Sequence, residues 1–464
     1  MNRLIMVCAL VVAAVATAAM AEGAEYRKVD TSEAPFAMEV TEWVVPGKVF
    51  NVVDFGAKCD DLKANKKAFA DAISAANAAG GARVKVPAGA WRTGAIHLKS
   101  NVVLDLDENA KLVFSDNPSD YLPAVPSSWE GVELLNYSPL VYAYGCTNVA
   151  ITGKGTLAPE MKTWRKWFKR QPEHMAFTAQ LYDWCSKVAP LAERDAPAMP
   201  GSNARPQLIQ FNRCANIVLD GFKIRWSPFW TIHLYHSENA VVRNLDVYAH
   251  GSNTDGIDIE MTKNVVVEDC SFDQGDDAIV LKSGRNQDAW ELARPTENVI
   301  ARRLKVKDGN VLMGVGSEMS GGVRNVFVHD CTMDGKTIDV FYCKTNERRG
   351  GFIENIYMKD CSANIAFHSV VGVETDVMYQ WRDLPTHEVR VTPIRNLVIE
   401  NVSCGTAEHL LMLYGDARDP IDGVTLKNVT LAKARKEPIV CVNAKNVTID
   451  GKVIPGRDGK APRR

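Results

Sequence analysis

An asparagine followed by alternating apolar residues and then a turn recurs along most of this chain. It occurs as Asn101-Val-Val-Leu-Asp-Leu, Asn148-Val-Ala-Ile-Thr-Gly, Asn216-Ile-Val-Leu-Asp-Gly and Asn239-Ala-Val-Val-Arg-Asn. It continues through Asn264, Asn298, Asn325, Asn355 and Asn396, with a late echo at Asn446. Between Asn216 and Asn355 the spacing runs from 23 to 34 residues, which fits no heptad or helical repeat. Short β-branched strands at that period, with no helices between them, predict an all-β fold: a right-handed parallel β-helix. A two-sheet sandwich also has many short strands. It does not place asparagine at the equivalent point of every coil, where a stacked side-chain ladder can satisfy turn backbone groups.

Two segments break the pattern. Residues 63–80 read as an amphipathic helix ending at glycine, with Phe69, Ile73 and Ala76 on one face. Such a helix can cap the open end of a solenoid and block edge pairing. Residues 159–206 form a long insertion bearing Trp164, Trp167, Phe168, Tyr182 and Trp184, expected to wall one end of a groove. Its aromatics could stack on sugar rings or form the insertion's own core.

The N-terminus adds a domain boundary. Arg3, an apolar run from Leu4 to Ala19 and Ala19-Met20-Ala21 read as a secretory signal over 1–21. An extension over 22–48 then precedes a single β-helix domain over 49–464. A membrane anchor is disfavoured, because the run is shorter than ~20 apolar residues and mostly alanine. The expected location is therefore outside the cytoplasm, in the periplasm or beyond. A formal charge of −2 over 464 residues, with 24% charged, gives no argument for nucleic acid. Cys270, Cys331 and Cys361 share one phase of three repeats, as core residues do, and no cysteine spacing fits a zinc site.

Candidate chemistry concentrates in two acidic motifs about twenty residues apart, Asn253-Thr254-Asp255-Gly256 and Gly275-Asp276-Asp277. Singly, each is ordinary turn chemistry. Their phase says more. Asp276 stands twelve residues past Asn264, and Asn310 twelve past Asn298; Asp255 is sixteen past Asn239, and Lys344 nineteen past Asn325. Four successive coils thus project polar residues from one side, with Asp255 and the aspartate pair on rungs ~5 Å apart. Crowded carboxylates raise one another's pKa, so one can stay protonated as acid while another ionises as base, the requirement for cleaving a glycosidic bond. Lys344 would pair with an anionic sugar carboxylate, assisted by Arg348 or Arg349. Glu318 is expected to stabilise its turn rather than serve as a fourth carboxylate at the groove, and His233 and His236 are expected to pack rather than bind metal.

At these residues the chain resembles glycoside hydrolase family 28, the polygalacturonases and related pectin hydrolases. The resemblance runs from about Phe50-Asn-Val-Val-Asp-Phe-Gly-Ala-Lys to about residue 430, and includes Gly316-Ser-Glu-Met-Ser-Gly-Gly. It implies inverting, single-displacement hydrolysis, with Asp276 as acid and Asp255 and Asp277 activating water. Inverting pairs usually stand ~6.5–9.5 Å apart to admit that water. Asn253, Asn310, Tyr342 and Lys344 would bind substrate. Two signatures depart from the family pattern: Gly309-Asn310-Val311 lacks the usual histidine, and Tyr342-Cys343-Lys344 keeps the lysine but has tyrosine in place of arginine. The expectation is an exported monomer acting on an acidic, pectin-derived polysaccharide or oligosaccharide, with exo action hinted by the insertion and no metal or organic cofactor. The rivals are a non-catalytic or degenerate carbohydrate-binding β-helix, and a β-helix lyase using calcium.

Overall fold

The computed structural model describes residues 24–384 and 388–463, so the expected signal segment 1–21 lies outside the described residues. Strands repeat in threes. Ile232–Tyr235, Glu238–Arg243 and Asp246–Ala249 make one coil; Ile257–Glu260, Lys263–Glu268 and Ser271–Gln274 make the next. Each strand pairs in parallel with its counterpart one coil on, so Ile232, Ile257 and Ile279 stack in register. Parallel pairing between successive coils is the predicted right-handed β-helix and excludes a sandwich.

Apolar side chains from every rung fill the interior. Ile232, Ile257 and Ile279 are fully buried, as are Cys270, Cys331 and Cys361 nearby, and all three thiols are free. The repeat asparagines hold positive φ near 55–61° at Asn101, Asn148, Asn216, Asn239, Asn264, Asn298 and Asn325. Asparagine tolerates that region better than most residues. Their amides form a ladder: Asn148 Nδ2 donates to Asn101 Oδ1 at 2.9 Å, Asn239 to Asn216 at 2.7 Å, and Asn325 to Asn298 at 3.0 Å.

Helix α1 spans Leu62–Ala78, with Asp61 Oδ1 accepting from the Ala64 N–H at its N-terminus. Phe69, Ile73 and Ala76 are buried against the first coil, the predicted cap. Residues 24–45 run along the outside. Thr41 exchanges two hydrogen bonds with the Asn239 amide, and Val40 packs on Val241, Val266 and Ile300.

The insertion folds as helices α2 (Lys162–Trp167) and α3 (Pro172–Lys187) followed by irregular chain. Its aromatics divide between two cores: Trp164, Trp167 and Phe168 pack with the main core of the coils, and Tyr182 and Trp184 join a second cluster shared with the hairpin and the coils. Trp164 is fully buried, and Phe177 and Tyr182 pack with Trp129, Phe229, Trp230 and Trp381. Trp129 belongs to an antiparallel hairpin, Val125–Trp129 with Val132–Asn136, that the repeat pattern does not reveal. This hairpin lies over the outward face of the coils that carry Gln210, Tyr235 and Glu260. Ser127 Oγ donates to Gln210 Oε1 at 3.0 Å, and Ser128 Oγ to Glu260 Oε2 at 3.3 Å.

Candidate active site

Where that cover ends, the outward face opens into a cleft of about 340 Å³. Asp255, Asp276, Asp277, Asn253, Asn310, Tyr342 and Lys344 all line it, so the seven candidate residues are brought together. The turns place them. Gly256 N–H donates to the Asp277 carbonyl and Asn310 N–H to the Asp276 carbonyl, each at 2.8 Å, locking three successive coils. Glycine is required beside the aspartates because the coils approach so closely. A Cβ on Gly256 would fall 2.5 Å from the Ala278 carbonyl oxygen, and one on Gly275 2.5 Å from the Gly251 carbonyl oxygen.

One carboxylate oxygen from each of Asp255, Asp276 and Asp277 lies within 4.8 Å of the others. Rung spacing sets this closeness: Asp255 stands one coil from the adjacent Asp276 and Asp277. Lys344 Nζ sits 3.1 Å from Asp277 Oδ2 and supplies a counter-charge.

Burial first, and then Asp276, pushes the Asp255 carboxyl well above the usual carboxylate range. Its Oδ1 has no hydrogen-bond partner within the described chain, leaving an acceptor for a substrate hydroxyl or water. Asp276 is pushed up to about 6, again by burial first and then by Asp277, while Lys344 and the Asn310 hydrogen bond oppose the rise. Asp276 Oδ1 accepts from Asn310 Nδ2 at 2.8 Å, and its Oδ2 accepts from the Asn253 N–H at 3.2 Å. A cluster tuned this way keeps a proton near pH 6 and can deliver it to a leaving oxygen.

Several contributors escaped the sequence reading. Lys282, on the strand Ile279–Lys282, reaches the cleft and pairs with Glu318 Oε2 at 3.0 Å, with Trp230 under its ammonium. Glu318 does face the cleft, but Lys282 and Arg285 hold it, at 3.0 and 2.7 Å. A charged residue ending an apolar strand was the available signal for Lys282. Arg348 and Arg349 do not assist at the cleft. Arg348 donates to the carbonyls of Trp381 and Arg382, and Arg349 to the Ser317 carbonyl and Asn286 Oδ1, so both are buried loop braces. His233 packs as expected, yet with a carboxylate partner: its Nε2 lies 2.8 Å from Glu260 Oε2, both groups fully buried. The Tyr342 hydroxyl donates to Glu374 Oε1 at 3.2 Å.

Known proteins share this arrangement of coils. The chain is 32% identical to a hyperthermoactive exopolygalacturonase from Thermotoga maritima, with a TM-score of 0.81 over 89% of this chain and 94% of that one. It is 29% identical to a probable polygalacturonase of Vitis vinifera, over 86% of this chain and 78% of the relative. It is 26% identical to an exo-poly-alpha-D-galacturonosidase of Dickeya chrysanthemi, over 74% of this chain and 59% of that protein. The sequence profile of Glycosyl hydrolases family 28 matches residues 193–450, more than half of the chain and the whole of the aspartate cluster. The protein therefore belongs to glycosyl hydrolase family 28 and is a glycosidase acting on O-glycosyl bonds.

Proposed function

We propose that this protein is an exported, exo-acting hydrolase of galacturonate linkages in pectin-derived chains, working by single displacement. The observation that carries the reading is the three-aspartate cluster with Lys344 in a cleft walled by Glu130, Trp230 and Trp381. Asp276, pushed up to about 6, is the acid that protonates the departing glycosidic oxygen. Asp255 and Asp277 hold the attacking water, and Lys344 faces the sugar carboxylate. The polygalacturonase activities named for the relatives support the substrate class.

Exo action is supported by the hairpin that covers the sheet beside the cleft. Ser127 and Ser128 occupy hydrogen-bonding positions on Gln210 and Glu260 that an extended glycan would otherwise reach. A chain end fits a cleft walled by the hairpin turn at Glu130 and by Tyr379 and Trp381, whereas an internal segment must pass both ways. Export rests on the N-terminal segment; no helix among the described residues is long and apolar enough to cross a membrane.

The test is digestion of polygalacturonate and defined oligogalacturonides, with reducing ends, viscosity and product anomers followed together. Rising reducing ends at nearly constant viscosity, with an inverted anomer released first, is the expected result. Absence of any hydrolysis sinks the substrate assignment, and a rapid viscosity drop sinks exo action. Release of a retained first anomer would sink single displacement.

A further inference from the structure

A second, more open groove of about 630 Å³ begins at the aspartate cluster and runs past His250, Gly251, Ser252 and Gly275. Asn253, Asp276, Asn310 and Arg170 line both this groove and the cleft that holds the aspartates. A glycan whose reacting bond lies at Asp276 therefore places one sugar in the cleft and its neighbour in the groove. Arg170 stands at the passage between them.

The other cations here are engaged. Lys344 pairs with Asp277, and Lys282 and Arg285 with Glu318. The Arg205 guanidinium donates to the carbonyls of Pro228 and Ser252 and to Asn253 Oδ1, with the Phe168 and Phe229 rings against it. Arg170 differs. It is exposed, between α2 and α3, and its Nη1 donates to Gln380 Oε1 at 3.3 Å. Among the described residues no carboxylate lies within ion-pair distance of it. Its planar fork can still take a carboxylate with two donors. The segment that carries it is uniformly basic: Lys162, Arg165, Lys166, Lys169 and Arg170, with no acidic residue in 162–170. A one-sign lip of this kind attracts a polyanion.

We propose that Arg170 is a specificity-determining residue that grips the carboxylate of the uronic sugar beside the reacting bond, supplying from the inserted arm the guanidinium that position 342 lacks. The inference rests on the galacturonate reading. Tyr342, committed to Glu374, presents no cation, and Lys344 alone offers a point charge rather than a fork.

The experiment measures kcat and KM for trigalacturonate with the wild type, Arg170→Ala and Arg170→Lys. Calorimetric binding of trigalacturonate and of its methyl ester runs in parallel. Arg170→Ala is expected to raise KM roughly tenfold with kcat within about threefold, and Arg170→Lys to recover part of the loss. Affinity for the neutral ester stays the same in all three proteins. Equal losses on acid and ester, or no change on either, overturn the proposal. If the wild type binds trigalacturonate in an Arg170-dependent way without cleaving it, the hydrolase reading fails while the Arg170 contact stands.

Discussion

Lys344 Nζ reaches Asp277 Oδ2 at 3.1 Å although 67 residues separate them along the chain. Burial by itself would lower the lysine's pKa, but Asp277 and the other aspartates more than offset it, so the ammonium stays charged. In turn Lys344 lowers Asp255 and Asp276 from where burial would leave them. Replacing it with methionine leaves three carboxylates within 4.8 Å with less positive charge beside them. Lys344→Met is expected to cut kcat about 10²-fold and to move the alkaline limb of the pH profile upward. A variant with an unshifted profile contradicts this coupling.

Asp255→Asn and Asp276→Asn are each expected to lower kcat by about 10² or more, since acid and base groups typically contribute 10²–10⁴. Both side chains keep their shape and sit on locked turns, so circular dichroism spectra should match the wild type. Turnover retained within a few-fold in either variant refutes the role given to that residue.

The same burial that tunes the cluster destabilises it at neutral pH. Asp276 has a folded-state pKa of about 6, above its value in an unfolded chain. The native state then binds more protons than the unfolded state between those values, so stability falls as pH rises through that window. Asp276→Asn removes the penalty and is expected to stabilise the fold by about 1–3 kcal/mol at pH 7.5 and by little at pH 4. Thermal melts of both proteins at the two pH values check this. A gain that is equal at both would point to packing instead.

How far the sequence foretold the site depends on what marks each coil. Asparagine supplies both the left-handed turn and the amide ladder, so its recurrence sets the register that brings Asp255 next to Asp277. The Val125–Asn136 hairpin lacks that marker, and its pairing is local and antiparallel, so the wall it gives the cleft at Glu130 was not legible. Arg348 and Arg349 read as surface cations because their partners, the Trp381 and Ser317 carbonyls, come from distant loops. Charge is visible in a sequence, but burial by a remote loop is not. Arg170 shows the converse: its basic run is plain in the sequence, while its place between two grooves depends on how α2 meets α3.

The ladder makes a separable prediction about stability. Asn298 holds φ at 59°, donates to Asn264 at 2.9 Å and accepts from Asn325 at 3.0 Å. Asn298→Gly keeps access to positive φ and loses the amide bonds; Asn298→Ala loses both. Expected costs are about 1–2 kcal/mol for glycine and about 1 kcal/mol more for alanine. Chemical denaturation distinguishes them. Equal costs would mean that the backbone conformation contributes little.

Asn310 stands where the family signature has histidine, and its effect on Asp276 has a definite sign. Its Nδ2 donates to Asp276 Oδ1, which favours the ionised carboxylate and holds the pKa below the level that burial and Asp277 would set. Asn310→Ala removes the donor, so the Asp276 pKa rises. The alkaline limb of kcat/KM, where the acid loses its proton, then moves to higher pH. Asn310→His puts a cation at the same place while it is protonated, lowering the Asp276 pKa and moving the limb down. Opposite displacements of one limb are hard to obtain from general damage, which lowers the whole curve without shifting it. Profiles of all three proteins on trigalacturonate between pH 4 and 8 read the result. Displacement of both variants in the same direction would remove Asp276 as the group that must be protonated.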